Sequence, residues 1–444
     1  MNLSGEQQLS FEKYIKSKNI FITGPGGTGK TELIKHIYKD ACDKGINIQI
    51  CALTGCAAVL LECKAKTIHS WAGIGLGNSS IPHLINKVTK NKYAKKNWKN
   101  TNVLIIDEVS MMSRKLFETL DAIGKSIRKN SKPFGGIQLL FSGDFYQLPP
   151  VGNRDEIETS EFCFQSTEWN KTFLLEDHIL LIKIFRQSDP KYQNILNQIR
   201  EGRIKKSTND ILLQMVGRSI PEDILVKPTK LLPTRSKVDN INISEINKLK
   251  CNEYKLALKY HTNLVITPTC RVKRNEFTDE QIQLELKYLQ GNLRCDETLN
   301  LKIGSQVMCI INIKSETDEL LLCNGAQGTV IKMQGETPIV KYNNGLEMAM
   351  EPHTWQSETI PGIGVSQVPL ILAWALTIHK SQGSTLDVAE IDAGSSIFEC
   401  GQTYVALSRV KSIEGLYLTS FDISKIKINA KVREFYDNLQ KLLI

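Results

Sequence analysis

Between Asn19 and Thr31 the chain reads N-I-F-I-T-G-P-G-G-T-G-K-T. The apolar run Ile20–Thr23 predicts a short buried strand that breaks at Gly24 into a glycine-rich turn, and Lys30 and Thr31 open a helical pattern reaching Tyr38. Gly24, Gly29, Lys30 and Thr31 satisfy G-x-x-x-x-G-K-[ST]. Glycines let successive backbone N–H groups curl around an anion where a Cβ would clash, and the helix N-terminus adds partial positive charge. With a strand before it and a helix after it, the loop of Gly24, Pro25, Gly26, Gly27, Thr28 and Gly29 is a phosphate cradle. Lys30 is placed for the β- and γ-phosphates and the Thr31 hydroxyl for Mg²⁺. The spacing implies a nucleoside triphosphate as ligand.

A sheet built on that strand needs cover on both faces, and 444 residues, 41% of them hydrophobic, are enough for about three domains. No apolar stretch has membrane-spanning length, and Met1–Phe11 is polar and lacks a signal-peptide core, so no membrane role is expected. Eleven cysteines are scattered without a C-x-x-C pair or zinc spacing, the pattern of reduced thiols in a soluble intracellular protein. A net charge of +9 suits a polyanionic partner.

Other candidate groups follow along the chain. Gln7 precedes the loop by about a helix length; its amide can pair with adenine or lie solvated on the helix. Asn47–Leu53 predicts a second strand, ending at Thr54, and Thr67, His69, Ser70 and Trp71 offer hydroxyl, imidazole and indole groups. Such groups suit sugar-phosphate and stacked bases, but a packed His69 and a core Trp71 fit the same pattern. Asn78–Asn102 carries Lys87, Lys90, Lys92, Lys95, Lys96 and Lys99 with little apolar periodicity, which predicts a basic surface insertion. Val103–Ile106 predicts a strand buried on both faces, ending in Asp107 for Mg²⁺ and Glu108 for the attacking water. After the strand Gln138–Ser142, a loop stiffened by Pro149 and Pro150 carries Gln147, placed to sense the γ-phosphate. The strand Ile179–Ile184 leads to Phe185 and Arg186, either a γ-phosphate contact or a surface arginine. Thr377, His379 and Lys380 repeat the hydroxyl–imidazole–cation set before a turn at Gln382 and Gly383, and Arg409, near the end of a helical stretch, is a candidate arginine finger if the second core faces the phosphate loop.

Taken in this order, the motifs resemble those of the PIF (petite-integration-frequency) helicases, the RecD-like group B of superfamily one. The resemblance rests on G-P-G-G-T-G-K-T, T-G-C-A-A with T-I-H-S, I-I-D-E-V-S-M, and G-G-I-Q-L-L-F-S-G-D-F-Y-Q-L-P-P-V. L-A-W-A-L-T-I-H-K-S-Q-G-S-T-L-D and Y-V-A-L-S-R-V complete it. It implies an α/β chain of two tandem RecA-like (P-loop NTPase) parallel-sheet cores with a small inserted antiparallel β-barrel. The division it suggests is 1–185 for the first core and 186–300 for the start of the second. A Src-homology-three-like barrel takes 301–365, and the rest of the second core takes 366–444. The resemblance implies ATP and Mg²⁺ as cofactors, and single-stranded DNA with forked or overhang duplex as partners. It further implies 5′→3′ translocation with unwinding by a monomer.

Carried over, Gln7 contacts adenine, Lys30 and Thr31 hold phosphate and Mg²⁺, and Asp107 binds Mg²⁺. Glu108 activates water, while Gln147, Arg186 and Arg409 surround the γ-phosphate and Gln382 and Gly383 join the nucleotide set. Thr54, Thr67, His69, Ser70, Thr377, His379 and Lys380 are the implied DNA contacts. A nucleotide-driven switch that never moves on DNA, or an RNA-directed helicase of the same superfamily, would share much of this pattern. The acidic stretch Glu316–Glu319 and the basic insertion are where family geometry is least to be assumed.

Overall fold

All four residues of β1 (Ile20–Thr23) are buried, because the strand is flanked on both sides. It belongs to a parallel sheet with β2 (Ile48–Ala52), β3 (Lys66–Thr67), β4 (Val103–Asp107), β5 (Gln138–Gly143) and β6 (His178–Leu180), in the order β3-β2-β4-β5-β1-β6. Alternate side chains go to opposite faces. Phe21, Leu104, Ile106, Leu139 and Phe141 enter one core, and Ile20, Ile22, Val103, Ile105 and Leu140 the other. Thr23 pairs with Gly143 on one side and Leu180 on the other, and Ile106 pairs with Phe141. The carboxyl ends of β4, β5, β1 and β6 therefore lie side by side, where ligands bind in open α/β sheets.

The computed structural model describes residues 3–61, 63–75, 77–153, 155–221, 226–264, 277–293, 295–315, 320–357 and 360–440. The chain divides into two units. The first is Met1–Ile204 with Glu399–Val405 and Ile426–Ile444, and the second is Lys205–Phe398 with Ala406–Lys425. This division departs from the boundaries read off the sequence. The helix Pro190–Glu201 and the C-terminal helix Ala430–Gln440 belong to the first unit, because Tyr192, Ile195 and Ile199 are buried there and Val432, Tyr436 and Leu439 complete one of its cores.

A second correction concerns 78–102. The stretch folds as two helices, Ile81–Lys90 and Lys92–Asn100, joined at Asn91, whose side chain accepts from the N–H groups of Tyr93 and Ala94 at 3.0 and 3.1 Å. Leu84, Val88, Ala94 and Trp98 are buried in the first unit's core. The Trp98 ring lies 4.6 Å from that of Trp71, and its indole N–H donates to the Ala72 carbonyl. Lys90, Lys92, Lys96 and Lys99 remain exposed. The lysines mask the helical period, since a few apolar residues at i, i+4 spacing suffice to bury one face. Trp71 is a core residue, so its open reading as a base-stacking side chain falls away.

The second unit is built on a four-stranded parallel sheet in the order Ala375–Thr377, Thr229–Leu232, Ala389–Ala393, Leu416–Phe421. Its insertion is antiparallel, with the ladder Glu347–Ala349, Thr337–Tyr342, Gln327–Gln334, Gln306–Cys309 and Leu370–Leu372. Leu256, Leu299 and Leu301, from a two-stranded ladder, share its core. The strands of this insert thus reach beyond 301–365 at both ends. Between the second core's first strand and the insert lies a helix, Asp279–Asn292, while 265–276 and the acidic 316–319 lie outside the described residues. Two parallel sheets with an antiparallel insert are the architecture the sequence implied. Among the described residues no helix is long and apolar enough to cross a membrane, and the nine described cysteines are free thiols.

Trp98→Ala should lower unfolding stability by about 3–5 kcal/mol in urea titrations, as expected for a buried indole. Lys92→Gln and Lys96→Gln should each change it by less than about 0.5 kcal/mol.

Candidate functional site

The loop after β1 is shaped by contacts that only glycine permits. Gly24, Gly27 and Gly29 have φ of +148°, +85° and +77°. A Cβ on Gly24 would fall 2.4 Å from the Leu181 carbonyl oxygen, one on Gly27 2.5 Å from the Arg186 Cβ, and one on Gly29 2.7 Å from the Gln7 Nε2. Thr28 donates to the Pro25 carbonyl at 3.0 Å, and the loop ends at Gly29, the N-cap of the helix Lys30–Asp43. Lys30 Nζ donates to the carbonyls of Gly24 and Pro25 at 2.7 and 3.0 Å. Thr31 follows in the first turn.

Gln7 reaches the loop from the helix Gly5–Ile15. Its Nε2 donates to the carbonyls of Thr28 and Gly29 at 3.3 Å each, and its Oε1 accepts from Ser4 N–H at 2.9 Å. It is buried, so the alternative of a solvated helix residue falls away. Beyond β6 the chain leaves the ladder earlier than the predicted strand to Ile184. It runs along the loop instead, with Leu181 N–H donating to Thr23 and Phe185 N–H to Gly27. This brings Arg186 against Gly27 and the Phe185 ring 3.6 Å from where a Cβ of Gly29 would stand. Phe185 is 51% exposed, with Lys183 Nζ 5.2 Å from its ring centroid, and sequence reading gave this side chain no role.

At the ends of β4 and β5 stand the carboxylates. Asp107 is buried, and burial pushes its carboxyl up against the opposing pull of the Ser142 hydroxyl, the Glu108 amide and Lys30. Glu108 adopts a left-handed backbone, φ +57° and ψ +38°, which costs a non-glycine residue about 1 kcal/mol or more and turns the chain sharply after the strand. Gly143 makes room for the turn, since a Cβ there would lie 2.9 Å from Val109 N. Burial lowers the Lys30 ammonium, while Asp144, Glu108 and Asp107 oppose that shift. Burial likewise lowers Arg186, against the pull of Tyr404 and Glu108.

Sequence reading missed the group that braces this site. Asp144 is fully buried and paired with Arg200, whose Nε and Nη2 donate to its two oxygens at 2.8 Å each. Asp144 Oδ1 also accepts from Tyr146 N–H at 3.2 Å, and its carbonyl accepts from Gln147 N–H at 2.8 Å. Tyr436 stacks on Tyr146 with ring centroids 4.6 Å apart, and Tyr404 Oη accepts from Gly26 N–H at 2.8 Å. The residue types were visible, but the partners lie 56 and 292 residues from Asp144 along the chain.

The two T-I-H segments have the same local build. Thr67 caps the helix Ile68–Ala72, accepting from Ser70 N–H at 3.3 Å, and Thr377 caps Ile378–Ser381, accepting from Lys380 N–H at 3.1 Å. Both follow a parallel strand of their own unit. Each buries its isoleucine and leaves its histidine outside the core, His69 half-buried and His379 exposed. Thr54 accepts from Ala57 N–H at 3.2 Å at another helix start. In the second unit, Gly383 has φ +80° beside Gln382, and the buried Arg409 donates to Ser408 Oγ at 2.9 Å.

The parallel sheet, glycine loop and adjacent carboxylates define the first unit as a P-loop nucleotide-binding core. A family model for PIF1-like helicases matches residues 2–210. The ATP-dependent DNA helicase PIF1 of Emericella nidulans is 35% identical over 96% of this chain. A crystal structure of Pif1 helicase from Candida albicans matches at TM-score 0.76 and 35% identity, covering 99% of this chain and 100% of that one. That of Bacteroides Pif1 in complex with ADP-AlF3 and ssDNA matches at TM-score 0.65 and 27% identity, covering 99% and 98%. The chain belongs to the PIF1-like helicase family. It spans 61%, 64% and 65% of the length of the curated relatives from Emericella nidulans, Danio rerio and Xenopus laevis.

Arg200→Ala would strand a buried carboxylate, and should lower stability by about 3–5 kcal/mol in denaturant titrations. The paired change Asp144→Leu with Arg200→Met should recover most of that loss.

Proposed function

We propose that this chain is an ATP-dependent DNA helicase that translocates 5′→3′ on single-stranded DNA and unwinds duplex ahead of it. The observation that carries the reading is the meeting of Lys30, Asp107, Glu108, Gln147 and Arg186 at neighbouring ends of one parallel sheet. The Bacteroides relative's complex with ADP-AlF3 and ssDNA supports both ligands.

In this reading the loop amides and Lys30 bind the phosphates of ATP, Gln7 hydrogen-bonds adenine, and the exposed face of Phe185 stacks on it. Thr31 and Asp107 are the residues that fit Mg²⁺, which when bound neutralises charge developing on the β- and γ-phosphates. Glu108, aimed by its left-handed backbone, orients and deprotonates the attacking water. Gln147 senses the γ-phosphate, and Arg186 stabilises its charge. Arg409, Gln382 and Gly383, in the second unit, are assigned to the nucleotide by the family pattern alone.

Thr54, Thr67, His69 and Ser70 in the first unit, with Thr377, His379 and Lys380 in the second, contact the DNA backbone, and residues 301–365 form the barrel insertion of the second core. Phosphate contacts carry little sequence information, so binding should be salt-dependent and nearly sequence-neutral. A single copy on the strand is the expected active unit.

The test compares ATP hydrolysis with and without single-stranded DNA, together with unwinding of duplexes carrying a 5′ or a 3′ overhang. Strong stimulation with unwinding from the 5′ overhang alone is expected; hydrolysis indifferent to DNA with neither duplex opened would favour a switch ATPase. Lys30→Ala should abolish hydrolysis while the protein stays folded. Glu108→Gln should keep ATP binding in filter or fluorescence assays yet lose turnover by at least about a hundredfold, in the range general base removal produces.

A further inference from the structure

The C-terminal helix contributes a hydroxyl to the middle of the first unit. Tyr436 Oη lies 2.6 Å from Thr23 Oγ1, accepts from Phe145 N–H at 3.0 Å, and is 3.3 Å from Asp144 Oδ1. A tyrosine hydroxyl has one proton to give and two lone pairs. The assignment that serves all three partners has Thr23 and Phe145 donating to Tyr436, and Tyr436 donating to the Asp144 carboxylate. Burial, then the Asp144 charge, raises the tyrosine well above its ordinary pKa, so the proton stays on it.

The partners of this one hydroxyl lie at two functional places. Thr23 is the last residue of β1, directly before Gly24 of the phosphate loop. Asp144 and Phe145 open the loop whose backbone carries Gln147, and the Asp144 carbonyl accepts from Gln147 N–H at 2.8 Å. Beside the ladder pairing of Thr23 with Gly143, Tyr436 thus adds a side-chain link between the end of β1 and the Gln147 loop. The Tyr436 ring is held independently of its hydroxyl. It stacks on Tyr146 at 4.6 Å with 13° between planes, and the Arg200 guanidinium lies 5.1 Å from its centroid. A ring packed against Tyr146 and Arg200 can hold its oxygen still at little entropic cost.

We propose that Tyr436 is a positioning residue for nucleotide turnover, keeping the phosphate loop and the Gln147 loop in one register. The C-terminal helix is then a strut of the site as well as part of its core. The proposal rests on the reading of this chain as an ATP hydrolase. Registration matters because displacing a catalytic group by about 1 Å can cost on the order of a hundredfold in rate.

The test is Tyr436→Phe, which keeps the ring and removes the oxygen, with Thr23→Val, which removes the other end of the link. Each should lower DNA-stimulated kcat by about tenfold, with nucleotide affinity within twofold of wild type and a thermal midpoint only a few degrees lower. The double variant should be no slower than the worse single one, because both break one link. Wild-type kcat in Tyr436→Phe would overturn the proposal. So would a loss of activity that tracks the unfolded fraction and is restored by assaying at lower temperature. A wild-type protein that binds ATP without hydrolysing it would overturn the hydrolase reading and this proposal together, whereas an active wild type with an indifferent variant overturns this one alone.

Discussion

Close backbone approach at the phosphate loop is the constraint on which the rest of the first unit is arranged. Leu181, Arg186 and Gln7 come within contact of Gly24, Gly27 and Gly29, where any Cβ would collide. Two separate segments, the chain after β6 and the helix Gly5–Ile15, thus converge on a loop that has no side chains of its own to offer at those positions. The arrangement holds because each segment also makes a directed hydrogen bond to the loop or its strand: Leu181 to Thr23, Phe185 to Gly27, Gln7 to Thr28 and Gly29. Removing side chains from the loop is what lets side chains from elsewhere come near.

Charge follows from that geometry. Lys30 sits among Asp107, Glu108 and Asp144, and Asp144 is paired with Arg200. A buried ion pair is a poor source of stability by itself, since desolvation offsets much of the attraction. Its use here is directional. Asp144, held from both oxygens, fixes the backbone that bears Gln147. The strained backbone at Glu108 is the matching device on the neighbouring strand, where local conformational energy sets the direction of a side chain.

Particular residues show where sequence reading succeeded and where it stopped. The glycine loop, Asp107 with Glu108, and Gln147 were legible because each belongs to a short local pattern whose chemistry needs neighbours a few residues away. Arg186 was legible as a candidate with two readings, and its place against Gly27 came only from the path of the chain after β6. Trp98 was not legible, because two buried positions among many lysines give too weak a period to separate from a solvated run. Neither was the role of Arg200 or Tyr436, since a buried arginine or tyrosine is defined by a partner and both partners are remote in sequence. Phe185 read as an apolar residue following a strand, and only its exposure beside the loop distinguishes it.

By itself the sequence determined the local chemistry: a strand–loop–helix for phosphate, an acidic strand end, two capped T-I-H turns and the alternation of parallel and antiparallel segments. Those depend on backbone preferences and side-chain types within a few residues, which a linear pattern records. The tertiary structure decided which strand ends are neighbours, and hence that the phosphate loop, the carboxylates and the Gln147 loop share one edge. It also decided that the last helix returns to the first sheet to place Tyr436 between Thr23 and Asp144. Strand order and long-range burial are set by how faces pack together, and no local pattern contains that information.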